Sequence, residues 1–287
     1  MLTGDVRRGL LAGLLAASIW GGMYVVSKVV LEVIPPITLV ALRMGVAFVC
    51  MVLWLRLLGR DWRLPRKLWA PVTAMGLIGY ALSITAQFIG TGLAGAALGS
   101  LITTASPLVT VALAALFRIE KVSARAWIGL GIALGGVWVL SGSANANLAG
   151  VLWLIVAAVT WGILGLIGAQ TVRQHDPALV SAWASLVGGV ALLALVPGEL
   201  ARAPIGEINL GTVAGVLYLG VVSTAVAFTF WVYAVAKAGS VLSGIAFFAQ
   251  PVVGGLLGWA LLGEPLGLSF FLGAALLFIG ALVARPD

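Results

Sequence analysis

The sequence predicts an all-α integral membrane protein: ten transmembrane helices in two inverted five-helix repeats, with both termini cytoplasmic. Three observations predict it. They are a composition that water could not solvate, apolar runs of membrane-spanning length, and an internal repeat with an odd number of helices. Of 287 residues, 62% are hydrophobic and 9% charged, and the mean hydropathy is +1.18. A soluble domain carries roughly 45–50% apolar and about 25% charged residues. Runs near 20 residues fit the hydrocarbon core of a bilayer. They also select helices over barrel strands, which are about 10 residues long and alternate in polarity.

The runs fall in order along the chain. The first, 10–31, follows Arg7 and Arg8 as a signal peptide would. Its length and the nine runs behind it identify a retained first helix. Runs at 37–58, 68–88, 94–117 and 124–141 complete a first repeat, residues 1–144. Runs at 148–170, 178–197, 209–235, 239–262 and 268–284 form a second, residues 145–287. No separate soluble domain is expected. Short connections make sequential helices antiparallel neighbours.

Basic residues orient the chain. With the N-terminus cytoplasmic, the inner segments hold Arg7, Arg8, Arg56, Arg60, Arg63, Arg66, Lys67, Arg118, Lys121, Arg125, Arg173, Lys237 and Arg285. The outer loops hold Arg202 alone, and Lys28 and Arg43 lie near the outer ends of helices 1 and 2. This bias is the positive-inside pattern. The net charge of +7 therefore reflects topology, and no nucleic-acid partner is expected. The single Cys50 excludes an internal disulfide, and the single His175 sits in the polar loop "RQHDP".

The repeat is visible residue by residue. "AASIWG" (16–21) matches "AAVTWG" (157–162), placing Trp20 on Trp161 and Pro36 on Pro177. Further on, Gly95 falls on Gly239, Pro107 on Pro251, Glu120 on Glu264 and Gly129 on Gly273. Five helices per copy force the second copy into the membrane upside down. The loop charges agree: Arg118, Lys121 and Arg125 become Leu262, Pro265 and Ser269 in the second copy. Inverted repeats of this kind mark secondary transporters, with the substrate near the midplane.

"EKVSARAWIGLGIALGGVWVL" and "GEPLGLSFFLGAALLFIGALV" resemble the closing stretch of an EamA repeat, a Glu followed by a Gly-punctuated last helix. "SIWGGMYVVSK" and "VTWGILGLIGAQ" resemble EamA helix starts, and the mid-helix Pro107 and Pro251 fit as well. The resemblance covers both halves and places the chain in the drug/metabolite transporter superfamily. Within it, the chain looks most like the aromatic amino acid exporters of the YddG type. The resemblance implies a ten-helix, multi-pass protein of the bacterial inner membrane that exports small metabolites, notably amino acids.

Candidate transport residues follow from polarity inside apolar helices, because polar groups turn inward from lipid. Helix 3 carries the stripe Tyr80, Ser83 and Gln87, and its repeat partner carries Thr224, Phe228 and Trp231. A cavity edged by Tyr80, Gln87, Trp161, Phe228 and Phe248 would offer flat apolar surfaces with hydrogen-bonding groups. Trp20, Tyr24 and Lys28 recur every four residues on one face of helix 1. Lys28 either snorkels to the interface, attracts a substrate carboxylate, or holds a backbone carbonyl. Arg43 has the same ambiguity. Pro107 and Pro251 each free a carbonyl. They are either kinks satisfied by neighbouring hydroxyls or hinges for alternating access. The pairs Gly95–Gly99, Gly131–Gly135, Gly211–Gly215 and Gly254–Gly258 suit close helix packing.

All nine acids lie in loops, termini or helix ends, so no proton or cation relay is expected mid-membrane. No Walker A motif is present. The expected mechanism is facilitated diffusion or exchange of a small-molecule substrate, an amino acid, across the lipid bilayer. Neither cofactor nor metal is expected, and ten helices suffice for a monomeric carrier. Three alternatives remain: a different solute on the same fold, a channel, or an intramembrane enzyme. The enzyme would need a paired-acid, metal or Ser/His constellation that the sequence lacks.

Overall fold

The computed structural model describes residues 4–118, 123–141, 147–171 and 175–284, and among these every regular element is a helix. Helices α1 (Gly4–Val30) and α2 (Pro36–Leu57) are uninterrupted. The third apolar run is composite. A 3₁₀ turn (Arg66–Leu68) leads into α3 (Trp69–Ala74), a π-helical segment (Met75–Ser83) and α4 (Ile84–Ala94). The fourth is divided into α5 (Ala96–Thr103) and α6 (Ser106–Leu116), and α7 (Ala124–Ser141) closes the first copy. The second copy runs α8 (Leu148–Thr171), α9 (Pro177–Leu193), the short α10 (Val196–Leu200) and α11 (Leu210–Leu217). A second π segment (Tyr218–Val226), α12 (Ala227–Phe247), α13 (Ala249–Leu262) and α14 (Leu268–Ala284) complete it. Among the described residues five helical stretches are long and apolar enough to cross a membrane: Gly4–Val30, Pro36–Leu57, Arg66–Ala94, Leu148–Gly168 and Leu210–Ala238. Five shorter apolar helices lie between and after them.

Local chemistry explains the boundaries. Pro36 and Pro177 each begin a helix, where a missing N–H costs nothing. The Asp176 side chain caps α9 by accepting from Ala178 N, and Asn209 caps α11 by accepting from Thr212 N. Gly95, at φ +97°, separates α4 from α5, a conformation glycine adopts without strain.

The two copies exchange their first helices. Helix α1 packs against α12 and α13 of the second copy, while α8 packs against α4, α5 and α6 of the first. Helices α2 and α9 pair antiparallel. Thr38 at the start of α2 meets Glu199 beyond the end of α9, and Arg60 beyond the end of α2 meets Asp176 at the start of α9. Equivalent helix starts therefore lie at opposite ends of the bundle. The last helices, α7 and α14, cross on glycine: a Cβ at Gly136 would approach Gly273 O at 2.9 Å, and one at Gly280 would approach Gly129 O at 2.5 Å.

Four expectations need correction. The connection expected near 236–238 is helical, because "AVAKAGS" holds no proline and Gly239 is not broken open as Gly95 is. The break falls instead at Phe248. Pro107 is not mid-helix: it lies in the first turn of α6, after a turn at Thr104–Ala105. The Gly131–Gly135 pair faces open space, and Gly129 and Gly136 make the close crossing. The two central runs are not plain α-helices: both copies carry a nine-residue π segment at matching places. Glu120, Lys121, Arg173, Arg285 and the expected boundary between residues 144 and 145 lie outside the described residues.

Candidate functional site

The two helix breaks meet at the centre of the bundle. Where α5 ends, Thr103 O accepts a hydrogen bond from the Ser106 hydroxyl, Thr103 Oγ1 donates to Gly99 O at 2.8 Å, and Thr104 Oγ1 donates to Ser100 O at 2.7 Å. Pro107 has no N–H for Thr103 O, and the turn at Thr104–Ala105 frees Ser100 O; the Ser106 and Thr104 hydroxyls satisfy these two carbonyls. Gln250, at the start of α13 beside Pro251, reaches across: its Nε2 donates to Ser100 O at 2.9 Å and lies 3.3 Å from both Thr103 Oγ1 and Thr104 Oγ1. One amide thus ties the break of one copy to the break of the other.

Around this junction lies a cavity of about 40 Å³, edged by Trp20, Tyr24, Arg43, Gln87, Thr103, Trp161, Phe228, Phe247 and Gln250. Ligand clefts hold roughly 300–1,000 Å³, so the centre is contracted. Its walls are aromatic. Trp20 lies 5.5 Å from Phe228, 5.5 Å from Trp231 and 5.8 Å from Phe247, and Trp161 lies 6.2 Å from Phe228. Trp20 is fixed by its Nε1, which donates to Ser223 O at 2.9 Å in the second π segment. That segment also places Thr224, whose hydroxyl donates to Leu219 O five residues back at 2.8 Å. The widened π turn makes this reach possible.

Arg43 is the charged member of the wall. It is 2% exposed; its Nε donates to Thr224 Oγ1 at 3.1 Å, and its guanidinium stands 5.5 Å from the Phe88 ring centre. Its Nη1 is buried without a hydrogen-bond partner. Burying an uncompensated ion costs several kcal/mol, so something other than packing retains this residue.

A vestibule of about 380 Å³ adjoins the cavity and shares Trp20, Ser106, Trp161, Phe228 and Phe247 with it. It extends past Tyr80 and Gly168 to Pro177, the end of the bundle that holds Arg60, Asp176, Asp5 and Lys237. At the opposite end, a recess of about 640 Å³ is lined by Lys28, Glu32, Gly95 and Glu264. It shares no lining residue with the central cavity. Between them, Tyr24 hydrogen-bonds Thr103, and Ser100 lies where a Cβ on Gly254 would come within 2.5 Å.

That opposite end is held by carboxylates on helix N-termini. Glu264 accepts from Ala96 N at 2.7 Å and Ala97 N at 2.8 Å, capping α5. Glu199 accepts from Ile37 N at 2.8 Å and from both Thr38 N and Thr38 Oγ1 at 2.7 Å, capping α2. Lys28 Nζ donates to Gly92 O at 2.8 Å, near the C-terminal end of α4. A cation at one side of the Gly95 joint and an anion at the other complement both helix dipoles.

The candidate residues separate accordingly. Trp20, Tyr24, Gln87, Trp161 and Phe228 line the central cavity, and Tyr80 lines the vestibule, stacked on Phe228 at 6.3 Å. Ser83 faces α8, donating to Ala157 O at 2.9 Å, and the π segment ends between Tyr80 and Gln87, so the expected stripe does not keep one helical phase. Lys28 lies in the far recess. Phe248 packs on Phe278 at 5.1 Å, and the preceding Phe247 takes the place expected of it. Pro107 and Pro251 sit at the two breaks. Gln250 was not foreseen, although its repeat partner is Ser106, the residue that caps the other break.

Fold and site together define a helical membrane protein with two copies of one unit, their equivalent helix starts at opposite ends, around a shared central cavity. The sequence profile of the EamA-like transporter family matches residues 7–142 and again 148–285, so the chain belongs to that family. Over 270 residues it is 26% identical to an uncharacterized transporter of Archaeoglobus fulgidus, covering 93% of this chain and 94% of that one. It is 26% identical over 261 residues to the uncharacterized inner membrane transporter YedA of Escherichia coli K12, covering 86% and 81%. It is 25% identical over 272 residues to the uncharacterized transporter YoaV of Bacillus subtilis, covering 91% of each. A solved crystal structure superposes with a TM-score of 0.69 at 22% identity, over 97% of this chain and 96% of that one. The protein is therefore a multi-pass membrane transporter for small solutes.

Proposed function

We propose that the protein exports amino acids, with a preference for aromatic or other large neutral side chains, by alternating access across a bacterial inner membrane. The observation that carries this reading is the aromatic box of Trp20, Trp161, Phe228 and Phe247, closed by the amides of Gln87 and Gln250. Flat apolar walls suit a large side chain, and the amides suit its polar backbone end. All ten apolar runs span the membrane, with the basic end in the cytoplasm. The vestibule is then the cytoplasmic entrance, and the carboxylate-held end is the closed periplasmic gate. Pro107 and Pro251 mark the hinges that bend as the cavity changes sides. With every acid falling in the loops, termini or helix ends of the sequence, transport runs as facilitated diffusion or exchange.

The test is flux of labelled amino acids in proteoliposomes. Saturable, counterflow-sensitive transport of aromatic or large neutral amino acids is expected, slowed at least tenfold by Trp20→Ala, Trp161→Ala or Gln87→Ala. Normal transport by all three variants would place the substrate elsewhere. Strong acceleration by an imposed proton or sodium gradient, beyond any voltage effect, would refute uncoupled transport.

A further inference from the structure

We infer that Arg43 docks an anionic group of the transported solute, the carboxylate of an amino acid. This rests on the carrier reading above and adds the chemistry that decides which solutes are accepted. An arginine is always protonated and presents a planar fork of donors matched to carboxylate oxygens. Here Arg43 is among the residues lining the central cavity and is 2% exposed. Among the described residues no carboxylate forms an ion pair with it. The titratable groups that interact with it are the phenols of Tyr24, Tyr80 and Tyr218, not acids. One neutral hydroxyl, Thr224 Oγ1, engages Nε, and Nη1 has no partner at all.

The rest of the wall agrees. Among the described residues Arg43 meets a hydroxyl and the Phe88 ring and no carboxylate, so an incoming anion pairs with it without displacing a resident one. Gln87 has an amide nitrogen whose one hydrogen-bond partner is the Met23 sulfur at 3.9 Å, so it is loosely held and can turn toward a ligand. The cation of the first copy that faces the substrate is therefore Arg43. Lys28, the other candidate, is engaged with Gly92 O in the far recess. A guanidinium–carboxylate pair is a charge-assisted, bidentate interaction. Losing it weakens binding by about tenfold to a hundredfold.

The experiment is thermal unfolding of the detergent-purified full chain with three probe sets. These are the twenty amino acids, their carboxamides, and anions without an ammonium group (indole-3-propionate, benzoate, inorganic phosphate). Wild type is expected to be stabilised by at least one amino acid and not by its carboxamide. Arg43→Gln removes that response and, without ligand, melts no lower than wild type, because an uncompensated charge has gone. Arg43→Lys keeps a weakened response. Should Arg43→Gln fail to fold, the acid-against-carboxamide comparison in wild type and the Arg43→Lys response decide alone. The inference is overturned if carboxamides stabilise as well as acids, if Arg43→Gln responds like wild type, or if no anionic probe stabilises the protein. An Arg43-dependent response to phosphate or benzoate alone keeps the inference and removes the amino-acid reading. Flux of amino acids and carboxamides at equal rates keeps the carrier and removes the inference.

Discussion

The two ends of the bundle are held by different physics. At one end, Asp5–Lys237 and Arg60–Asp176 join helices through ion pairs whose side chains are 25–58% exposed. Such pairs contribute about 0–1 kcal/mol each. At the other end, Glu264 and Glu199 accept five hydrogen bonds between them, four from backbone N–H groups at helix starts. Hydrogen bonds to a charged partner contribute about 1.5–3 kcal/mol each, and the helix dipole adds to them. The loosely held end carries the vestibule that reaches the aromatic box, and the tightly held end carries a recess cut off from it. The recess end is thus held by a few strong, directional contacts from one copy onto the other, and the vestibule end by screened charges.

Four substitutions break or sharpen this contrast, in falling order of effect. Gly95→Val forces a β-branched residue into φ +97° and drives its Cβ to 2.8 Å from the Glu264 carboxylate. It should cost about 3 kcal/mol or more, read as a large drop in unfolding temperature in detergent. Glu264→Ala leaves the start of α5 uncapped, for about 2–3 kcal/mol. It should also expose the layer behind it: a Ser100→Cys thiol, in a Cys50→Ala background, should react faster with a hydrophilic maleimide. Unchanged reactivity would show that Glu264 closes nothing. Glu199→Gln keeps acceptor oxygen but loses the charge, and about 1–2 kcal/mol of stability should go with it. Arg60→Ala, at the other end, should change stability by less than about 0.5 kcal/mol. A cost for Arg60→Ala equal to that of Glu264→Ala would erase the contrast.

Much of the architecture was legible because bilayer physics writes itself into composition. The apolar runs, the repeated "WG" stretches and the matched prolines identified the helices and the repeat. Trp20 and Trp161 reached the cavity from matched positions, as their equivalence implied. What was not legible depends on helical phase and on distant partners. The π segments shift register without any composition signal, so the stripe from Tyr80 to Gln87 does not keep the phase of a regular α-helix. The break at Phe248 falls inside the run 239–262 that reads as one helix; it turns Phe248 onto Phe278 and leaves Phe247 at the cavity. Arg43 read as a helix-end cation because nothing local shows that it is buried under Phe88 and Thr224. Gln250 carried a usable clue, a polar residue before a mid-membrane proline whose repeat partner is a capping serine. The connection expected at 236–238 is absent although Gly239 aligns with Gly95, because glycine permits a break without requiring one.

The exchange of first helices has a consequence for how the protein is made. The partner of Trp20, the Ser223 carbonyl, lies 203 residues further along the chain. At about 5–20 residues per second, the ribosome adds that length in roughly 10–40 s. Until then α12 and α13, the second-copy helices that cover most of α1, do not exist, and its glycine-rich face must be tolerated by lipid or by the insertion machinery. The first copy likewise waits for α8 to fill its own groove. Neither half can mature ahead of the other, so assembly is a late, all-or-none event of biogenesis, and a chain truncated before α12 leaves the membrane with an orphan first helix for quality control to recognise.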